Sequence, residues 1–365
     1  MTLKAYYQNR IEKLCATINQ NEGWIIEHPQ DIFYLTGFAL SKGTLLVAAK
    51  RAVLLVDGRY QSAAKAMCSI DSAPLEEETF ERLFSSGQFK NIVTWFVDGS
   101  QTSLIAMEAW EKRVDILHKK RKNEPKKLLG VKKNPVLNVR AVKDDLEIEA
   151  LKASAELLMQ GYKHLVSILQ EGITEKEAAL EFEIFCKKQG AEALSFDPII
   201  AFGEKGAYPH YHPQDKRLKK GDAVLLDLGV MKQGYASDMT RCFCFDGEYS
   251  ARMQLFFDVT KKAKEAALSL VRAGVSIAKL EQSARSVMKE HSLEALFTHS
   301  LGHGVGLDVH EMPVVNRLNT EVLKENMVIT IEPGLYQPSV GGIRLEDTIV
   351  VTKEGYVNFF ETLSL

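Results

Sequence analysis

Asp227 lies inside the apolar run Val224 to Val230, where an isolated carboxylate would be costly to bury. A turn follows at Lys232-Gln233-Gly234, and a second strand pattern, Tyr235 to Phe245, carries Asp238. The spacing predicts an antiparallel hairpin. A two-residue loop at Lys232-Gln233 sets the two aspartates directly opposite, with Cβ atoms about 5 Å apart. Moving the loop to Gln233-Gly234 makes them diagonal neighbours on the same face. In either register two like charges share a largely apolar strand pair, which is destabilising unless something neutralises them. A bound divalent cation is the simplest remedy.

The pattern recurs near the end of the chain. Val328 to Glu332 alternates into Pro333-Gly334, a loop holds Pro338 and Gly341-Gly342, and Ile343 to Val351 returns as a strand. Glu332 and Glu346 then fall near one another across a second hairpin, with Arg344 and Asp347 flanking the second acid. Residues 217–229 (RLKKGDAVLLDLG) and 322–334 (VLKENMVITIEPG) share one order of features: a basic residue, a turn, an alternating strand, a carboxylate and a glycine. Each follows a loop containing Pro and His and two helices. The second half of the chain therefore reads as an internal repeat.

Three histidine loops accompany the acids. His299 to Glu311 reads HSLGHGVGLDVHE, and its closely spaced glycines exclude a comfortable helix and allow close backbone approach to a ligand. His303 and His310 bracket that bend. His210 and His212, in the stretch Ala207 to Pro213, share a face if the segment is extended; only one need be functional. Asp227, Asp238, Glu332, Glu346 and one imidazole carry a charge that two divalent ions balance. Oxygen-rich ligation with one nitrogen suits Mn²⁺, Co²⁺, Fe²⁺ or Zn²⁺ over a thiolate-seeking ion, and Mn²⁺ is the ion expected. Two such ions about 3.5–4 Å apart share a hydroxide, make it nucleophilic at neutral pH and polarise a carbonyl. The chemistry implied is hydrolysis.

The rest of the chain sets bounds. Its 365 residues suit two domains. A net charge of −2 supplies no field for nucleic acid or an anionic membrane. The basic stretch His118 to Lys127 reads as a solvated connector. Five scattered cysteines fit reduced thiols rather than a disulfide framework, and Cys242-Phe-Cys244 reads as packing in a strand. The polar opening, Met1 to Leu14, has no signal-peptide h-region, and no apolar run approaches the roughly 18 residues of a membrane span. A cytoplasmic protein with neither nucleic-acid nor membrane partners is expected.

Along the first third, helical spacing covers Tyr6 to Ile18, and short strands fit Trp24 to Ile26, Thr44 to Ala48, Ala52 to Val56, Ile92 to Val97 and Ser103 to Ala106. This is a layered α/β pattern. A boundary near residues 123–140 divides the chain into 1–135 and 136–365. Helices are then expected over Leu146 to Leu169, Glu175 to Lys188, Met253 to Val271 and Ile277 to His291, with strands between and after.

At these positions the sequence resembles the pita-bread metallopeptidases, which include methionine aminopeptidase, aminopeptidase P, prolidase and the metal-free creatinase. The resemblance rests on D-L-G…G-Y-x-S-D-x-T-R (Asp227 to Arg241), G-H-G-x-G-x-x-x-H-E (Gly302 to Glu311), I-E-P-G (Ile331 to Gly334) and G-G-I-R-x-E-D (Gly341 to Asp347). Tyr34 to Phe38 and Val56 to Tyr60 resemble the N-terminal domain shared by creatinase, prolidase and aminopeptidase P, which methionine aminopeptidase lacks. Asp31 departs from the asparagine common there.

The likeness implies an α/β (α+β) chain: a creatinase-like N-terminal domain, then a pita-bread catalytic domain with a pseudo-twofold repeat. It implies that Asp227 chelates one metal, Asp238 and Glu346 bridge both, and His303 and Glu332 hold the other. Glu332 is also implied as proton shuttle, and His210 and His310 as substrate contacts that stabilise the tetrahedral intermediate. Arg344 either meets a substrate carboxylate or orients the acids. The run His210-Tyr211-His212-Pro213 is similar to that of aminopeptidase P, so removal of the residue ahead of proline from longer peptides is the expected activity. The alternative is a prolidase acting on Xaa-Pro dipeptides. A non-catalytic pita-bread peptide-binding module is the rival from another class, and the intact ligand set argues against it. A homodimer is implied.

Overall fold

The computed structural model describes residues 2–85, 89–119 and 128–361. Most of the basic stretch read as a connector, residues 120–127, lies outside the described residues. The chain divides into two compact units, Met1–Arg140 and Ala141–Leu365.

The first unit opens with helix α1 (Leu3–Ala16), strand β1 (Glu22–Ile26) and helix α2 (Pro29–Thr36). The hairpin β2 (Gly43–Ala48) and β3 (Arg51–Val56) follows, then α3 (Gln61–Met67), β4 (Asp71–Pro74) and α4 (Glu77–Ser85). It closes with β5 (Thr94–Asp98), α5 (Leu104–Lys119), β6 (Leu128–Lys132) and α6 (Val136–Arg140). One six-stranded sheet runs β4-β3-β2-β1-β5-β6. β1 is antiparallel to β2 and parallel to β5, and β5 is parallel to β6.

Ser103 to Ala106 is not a strand. The Ser103 hydroxyl accepts from the Ala106 amide at 3.2 Å, so the apolar run begins α5 instead. Four apolar residues alone do not distinguish the two outcomes. Stacked Phe84 and Trp95 (centroids 4.6 Å apart) anchor the core of this unit together with Phe80, Leu46 and Leu55. Asp31, the departure noted in the sequence, is fully buried and accepts from Arg140 Nη1 (2.9 Å) and Asn134 Nδ2, tying α2 to α6 and the segment before it. Burial raises its pKa, against which Arg140 works. The acid is structural.

The second unit begins with α7 (Asp145–Ile168) and α8 (Glu175–Lys188). Asp144 and Thr174 cap these helices, each in a reciprocal box with the glutamate three residues on, Glu147 and Glu177. β7 (Ala193–Leu194), β8 (Ile199–Phe202), β9 (Ala223–Leu228), β10 (Val230–Lys232), β11 (Tyr235–Ala236) and β12 (Met239–Cys244) follow. Next come α9 (Ala251–Leu268), α10 (Ile277–Glu290), β13 (Gly302–Gly304), β14 (Glu311–Val315) and β15 (Val328–Ile331). The chain ends with β16 (Gly334–Gln337), β17 (Gly341–Arg344), β18 (Asp347–Val351) and β19 (Tyr356–Asn358). The principal sheets are β12-β9-β8 and β14-β13-β15-β18-β19. All five cysteines are free, and among the described residues no helix is long and apolar enough to cross a membrane.

Two segments expected as single strands are broken. Tyr235 to Phe245 divides into β11 and β12 around Ser237-Asp238, and Ile343 to Val351 divides into β17 and β18 around Leu345-Glu346. Breaks of this kind free consecutive side chains from strict alternation, and both carry an acid.

The repeat is real in three dimensions. Thr174, at the start of α8, bridges Arg217, and Ser276, at the start of α10, bridges Val322. The flanking bonds match pair for pair: Leu218 N to Ile173 O (2.9 Å) and Leu323 N to Val275 O (2.8 Å), then Glu175 N to Lys216 O (3.1 Å) and Ile277 N to Glu321 O (3.0 Å). Each half thus ties a helix start to the turn that launches an acid-bearing strand. On β9, Val224, Leu226 and Leu228 pack with Leu158 and Phe182 of α7 and α8, while Leu225 faces the core of α9 and α10. Period-two alternation puts Asp227 on the Leu225 face.

Because the Thr174 hydroxyl accepts from the Glu177 amide at 3.1 Å, Thr174→Ala is expected to cost about 1 kcal/mol. Urea unfolding of this variant beside Thr174→Ser, which keeps the cap, checks the value.

Candidate metal centre

The first hairpin turns at Gln233 (φ 54°) and Gly234 (φ 77°), two consecutive left-handed residues that match the twist of the strands. That turn sets the register: Lys232 pairs Tyr235 and Met231 pairs Ala236. Beyond the break, Asp227 pairs Thr240. The two aspartates are therefore diagonal neighbours, not directly opposite, as the Gln233-Gly234 register requires. The second hairpin keeps the closer pairing. Ile331 faces Asp347 and Gly334 faces Arg344, which leaves Glu332 and Glu346 opposite one another across the gap.

His303 enters from β13. Its Nδ1 meets the Gly304 carbonyl at 3.1 Å, so Nδ1 carries the proton and Nε2 presents its lone pair. That Nε2 lies 3.4 Å from Asp238 Oδ2 and 3.4 Å from Glu332 Oε1. Asp238, His303 and Glu346 each offer a ligand atom within 4.8 Å of the others'. Asp227 joins the group through Arg344, which donates to Asp227 Oδ2, to Tyr336 Oη (2.8 Å) and to Thr240 Oγ1 (3.2 Å). The sequence therefore names acids and an imidazole that fold into one place.

His310, His210 and His212 are exposed. The His310 ring lies 4.3 Å from that of His303. His210 and His212 are both exposed, with buried Tyr211 between them, the alternation of an extended segment. The glycines let this loop pack closely on the protein: a Cβ at Gly302 would meet the Thr330 carbonyl, and one at Gly304 that of Met312.

Electrostatics describe a site built for cations. Burial first, then the neighbouring Glu346, Asp227 and Glu332, raises the Asp238 pKa well above its ordinary value. Burial and Glu346 raise Glu332 likewise, and burial and Asp227 push Glu346 up to about 8. Burial and then His310 lower His303 to about 4, so its imidazole is neutral at pH 7 and available as a ligand. Asp227 Oδ1 and Glu346 Oε1 are buried without any hydrogen-bond partner, while Arg344 and Thr240 Oγ1 (2.6 Å) occupy the other oxygen of each. One oxygen per acid thus remains for a ligand inside an oxygen-rich set. Divalent ions fit these residues.

Several supporting groups escaped the sequence reading. Arg241 and Lys264 grip Asp347 at 2.7 and 2.6 Å, and Arg241 also donates to the Glu346 carbonyl, fixing the strand break that presents Glu346. Burial works against the Asp347 carboxylate, but Lys264 and Arg241 together outweigh it and hold its pKa below the ordinary value. Tyr336 links Arg344 to His299 Nε2 (2.8 Å), whose Nδ1 donates to Ser300 O. Buried Glu175 accepts from Tyr211 Oη (2.7 Å), Phe202 N and Gln214 N, clamping the loop that carries His210. Arg241 and Asp347 stood within motifs and Tyr211 and His299 within the histidine loops, but Lys264, Tyr336 and Glu175 have no local signature.

Residues 149–353 match metallopeptidase family M24, and residues 10–142 match the creatinase/prolidase N-terminal domain. The chain belongs to metallopeptidase family M24 and has the pita-bread fold preceded by a creatinase-like domain. It is 32% identical to the Xaa-Pro dipeptidase of Pyrococcus furiosus over 351 residues, 95% of this chain and 96% of that one. Among solved structures it is similar to an Xaa-Pro dipeptidase from Bacillus anthracis (TM-score 0.89, 27% identity, 98% and 99% of the two chains covered). An X-Pro aminopeptidase from Thermotoga maritima is also similar (TM-score 0.83, 28% identity, 95% and 97% covered).

Asp347→Ala leaves Arg241 and Lys264 buried without their anion, an expected loss of about 3–5 kcal/mol. Denaturant unfolding measures it, and a loss under about 1 kcal/mol contradicts the anchoring role.

Proposed function

We propose that this chain is an Xaa-Pro dipeptidase, a metal-dependent hydrolase that splits a dipeptide ahead of its C-terminal proline. The observation that carries the chemistry is the approach of Asp238, His303 and Glu346 ligand atoms to within 4.8 Å of one another in a buried acid cluster. Asp227, Asp238, His303, Glu332 and Glu346 hold two divalent ions, with Mn²⁺ the ion expected from this donor set. When bound, the ions supply a water-derived nucleophile at neutral pH and polarise the scissile carbonyl.

The protein groups do the rest. Glu332 takes the proton of the attacking water and passes it to the departing proline nitrogen. His310 donates to the carbonyl oxygen as negative charge grows there, and His210 contacts the peptide from the exposed rim. Arg344 commits its donors to Asp227, Tyr336, Thr240 and the Pro209 carbonyl, so we read it as holding the acids rather than a substrate carboxylate.

The choice of dipeptides over longer peptides reverses the preference read from His210-Tyr211-His212-Pro213. Tyr211 is turned to Glu175 and serves the loop's anchorage, which weakens that run as a mark of specificity. Relatives named as Xaa-Pro dipeptidases extend over nearly the whole chain. We also infer a homodimer from the family likeness; light scattering that returns the mass of one 40.9 kDa chain rejects it.

Purified protein is expected to cleave Ala-Pro and to leave Ala-Pro-Ala largely intact, with activity abolished by chelation and restored by Mn²⁺. Faster cleavage of Ala-Pro-Ala returns the assignment to aminopeptidase P, and no turnover with any metal favours a binding module. Asp238→Ala is expected to keep the fold, judged by circular dichroism, yet lose bound metal and more than ~100-fold in turnover. Full metal content in that variant refutes the ligand assignment.

A further inference from the structure

A buried cation stands behind the loop that carries His310. Lys143 lies just ahead of the Asp144 cap of α7, and its side chain is fully buried. Its amide donates to the Asn326 carbonyl at 2.9 Å, and Val142 bridges Met327, so the backbone here is fastened to the segment that enters β15. From that anchorage Nζ reaches Glu311 Oε2 at 3.3 Å, across 168 residues of chain. Burying an ammonium costs several kcal/mol, which one ion pair repays only in part. An apolar side chain would fill the same space without that cost, so packing alone does not account for a lysine.

Glu311 is where the pair acts. The residue follows His310, opens β14 and pairs with Gly304, one position past His303. Its Oε1 accepts from the Asp308 amide at 3.1 Å, which closes the turn over residues 308–311. The carboxylate also lies so close against Gly306 that a Cβ there would overlap it. The Gly306 carbonyl in turn accepts from the Ala236 amide at 2.8 Å. The stretch 306–311 is therefore folded around one carboxylate, and Lys143 holds that carboxylate from the interior. His310 itself is exposed, so its direction is set by the backbone of this loop and by the His303 ring, 4.3 Å away.

We propose that Lys143 is a positioning residue: through Glu311 it fixes the loop that aims His310 at the substrate carbonyl. The kinetic half of this proposal rests on the dipeptidase reading above, whereas the placement of the loop does not.

Lys143→Met, compared with the wild type as full-length, Mn²⁺-loaded protein, tests both halves. Hydrogen–deuterium exchange read by mass spectrometry should show amides of residues 305–311 exchanging about 10-fold faster or more, with those of residues 150–168 in α7 unchanged. On Ala-Pro, kcat should fall about 10- to 100-fold while KM changes less than about 3-fold, because the contact disturbed is one that strengthens in the transition state. Bound Mn²⁺ should stay at the wild-type level. In a His310→Ala background the same substitution should lower kcat less than about 2-fold further, since the group it positions is already gone. If Lys143→Met does not fold, Glu311→Gln, which keeps an oxygen for the Asp308 amide and removes only the charge facing Lys143, should give the same pattern at smaller amplitude. Unchanged exchange over 305–311, unchanged kcat in an active enzyme, or a full additive loss in the His310→Ala background overturns the proposal. Wild-type protein that turns over no peptide overturns the dipeptidase assignment and the kinetic half with it, and the exchange data still decide the placement.

Discussion

Burying one anion costs several kcal/mol unless a partner compensates it, and the second unit buries Asp227, Asp238 and Glu346 against one another, with Glu332 half-buried beside them. Much of its architecture answers that problem. Arg344 reaches across to Asp227, Thr240 satisfies one oxygen of Glu346, and His303 is held neutral with its lone pair turned inward. What these groups leave unmet is one oxygen on Asp227 and one on Glu346, which a divalent cation would complete. The raised pKa values of Asp238, Glu332 and Glu346 are the same tension expressed as proton affinity.

Assembling acids from distant segments requires strands that stop being regular at the right residues. Asp238 and Glu346 occupy breaks, where β11 gives way to β12 and β17 to β18. Each break is held from outside the cluster. Thr348 Oγ1 donates to the Asp238 carbonyl at 2.7 Å, and the Glu346 amide donates to the Thr240 carbonyl at 3.1 Å, so each hairpin fastens the other. The matched ties at Thr174 and Ser276 position the two launching strands from behind. Symmetry of backbone thus supports an asymmetric set of side chains, with an imidazole on one side only.

The acids were legible because charge in an apolar strand is rare and expensive, and because hairpin periodicity limits which side chains can meet. Helices α7, α8 and α10 were legible from helical spacing, and α8 begins and ends where its pattern does. The hairpin register was readable only to within two choices, since Lys232-Gln233 and Gln233-Gly234 are both plausible turns until backbone torsions decide. Arg241, Lys264 and Asp347 were not recognisable as a unit, because their pairing depends on a helix brought from elsewhere in the sequence. Ser103 to Ala106 failed for the opposite reason: too short a segment carried too little information. Glu175 looked like an ordinary first-turn helix acid, yet its carboxylate is buried and clamps a distant loop.

The turn at Gln233-Gly234 has a wider reach than its surface position suggests. Gln233 is exposed, and surface turns commonly absorb inserted or deleted residues without harm. Here a slip of one position would rotate Asp227 to the opposite side of its strand, swapping it with a leucine. Length variation at this tip is thus coupled to the acid cluster through register, and a library that randomises the residue count there selects on folding and on the cluster together.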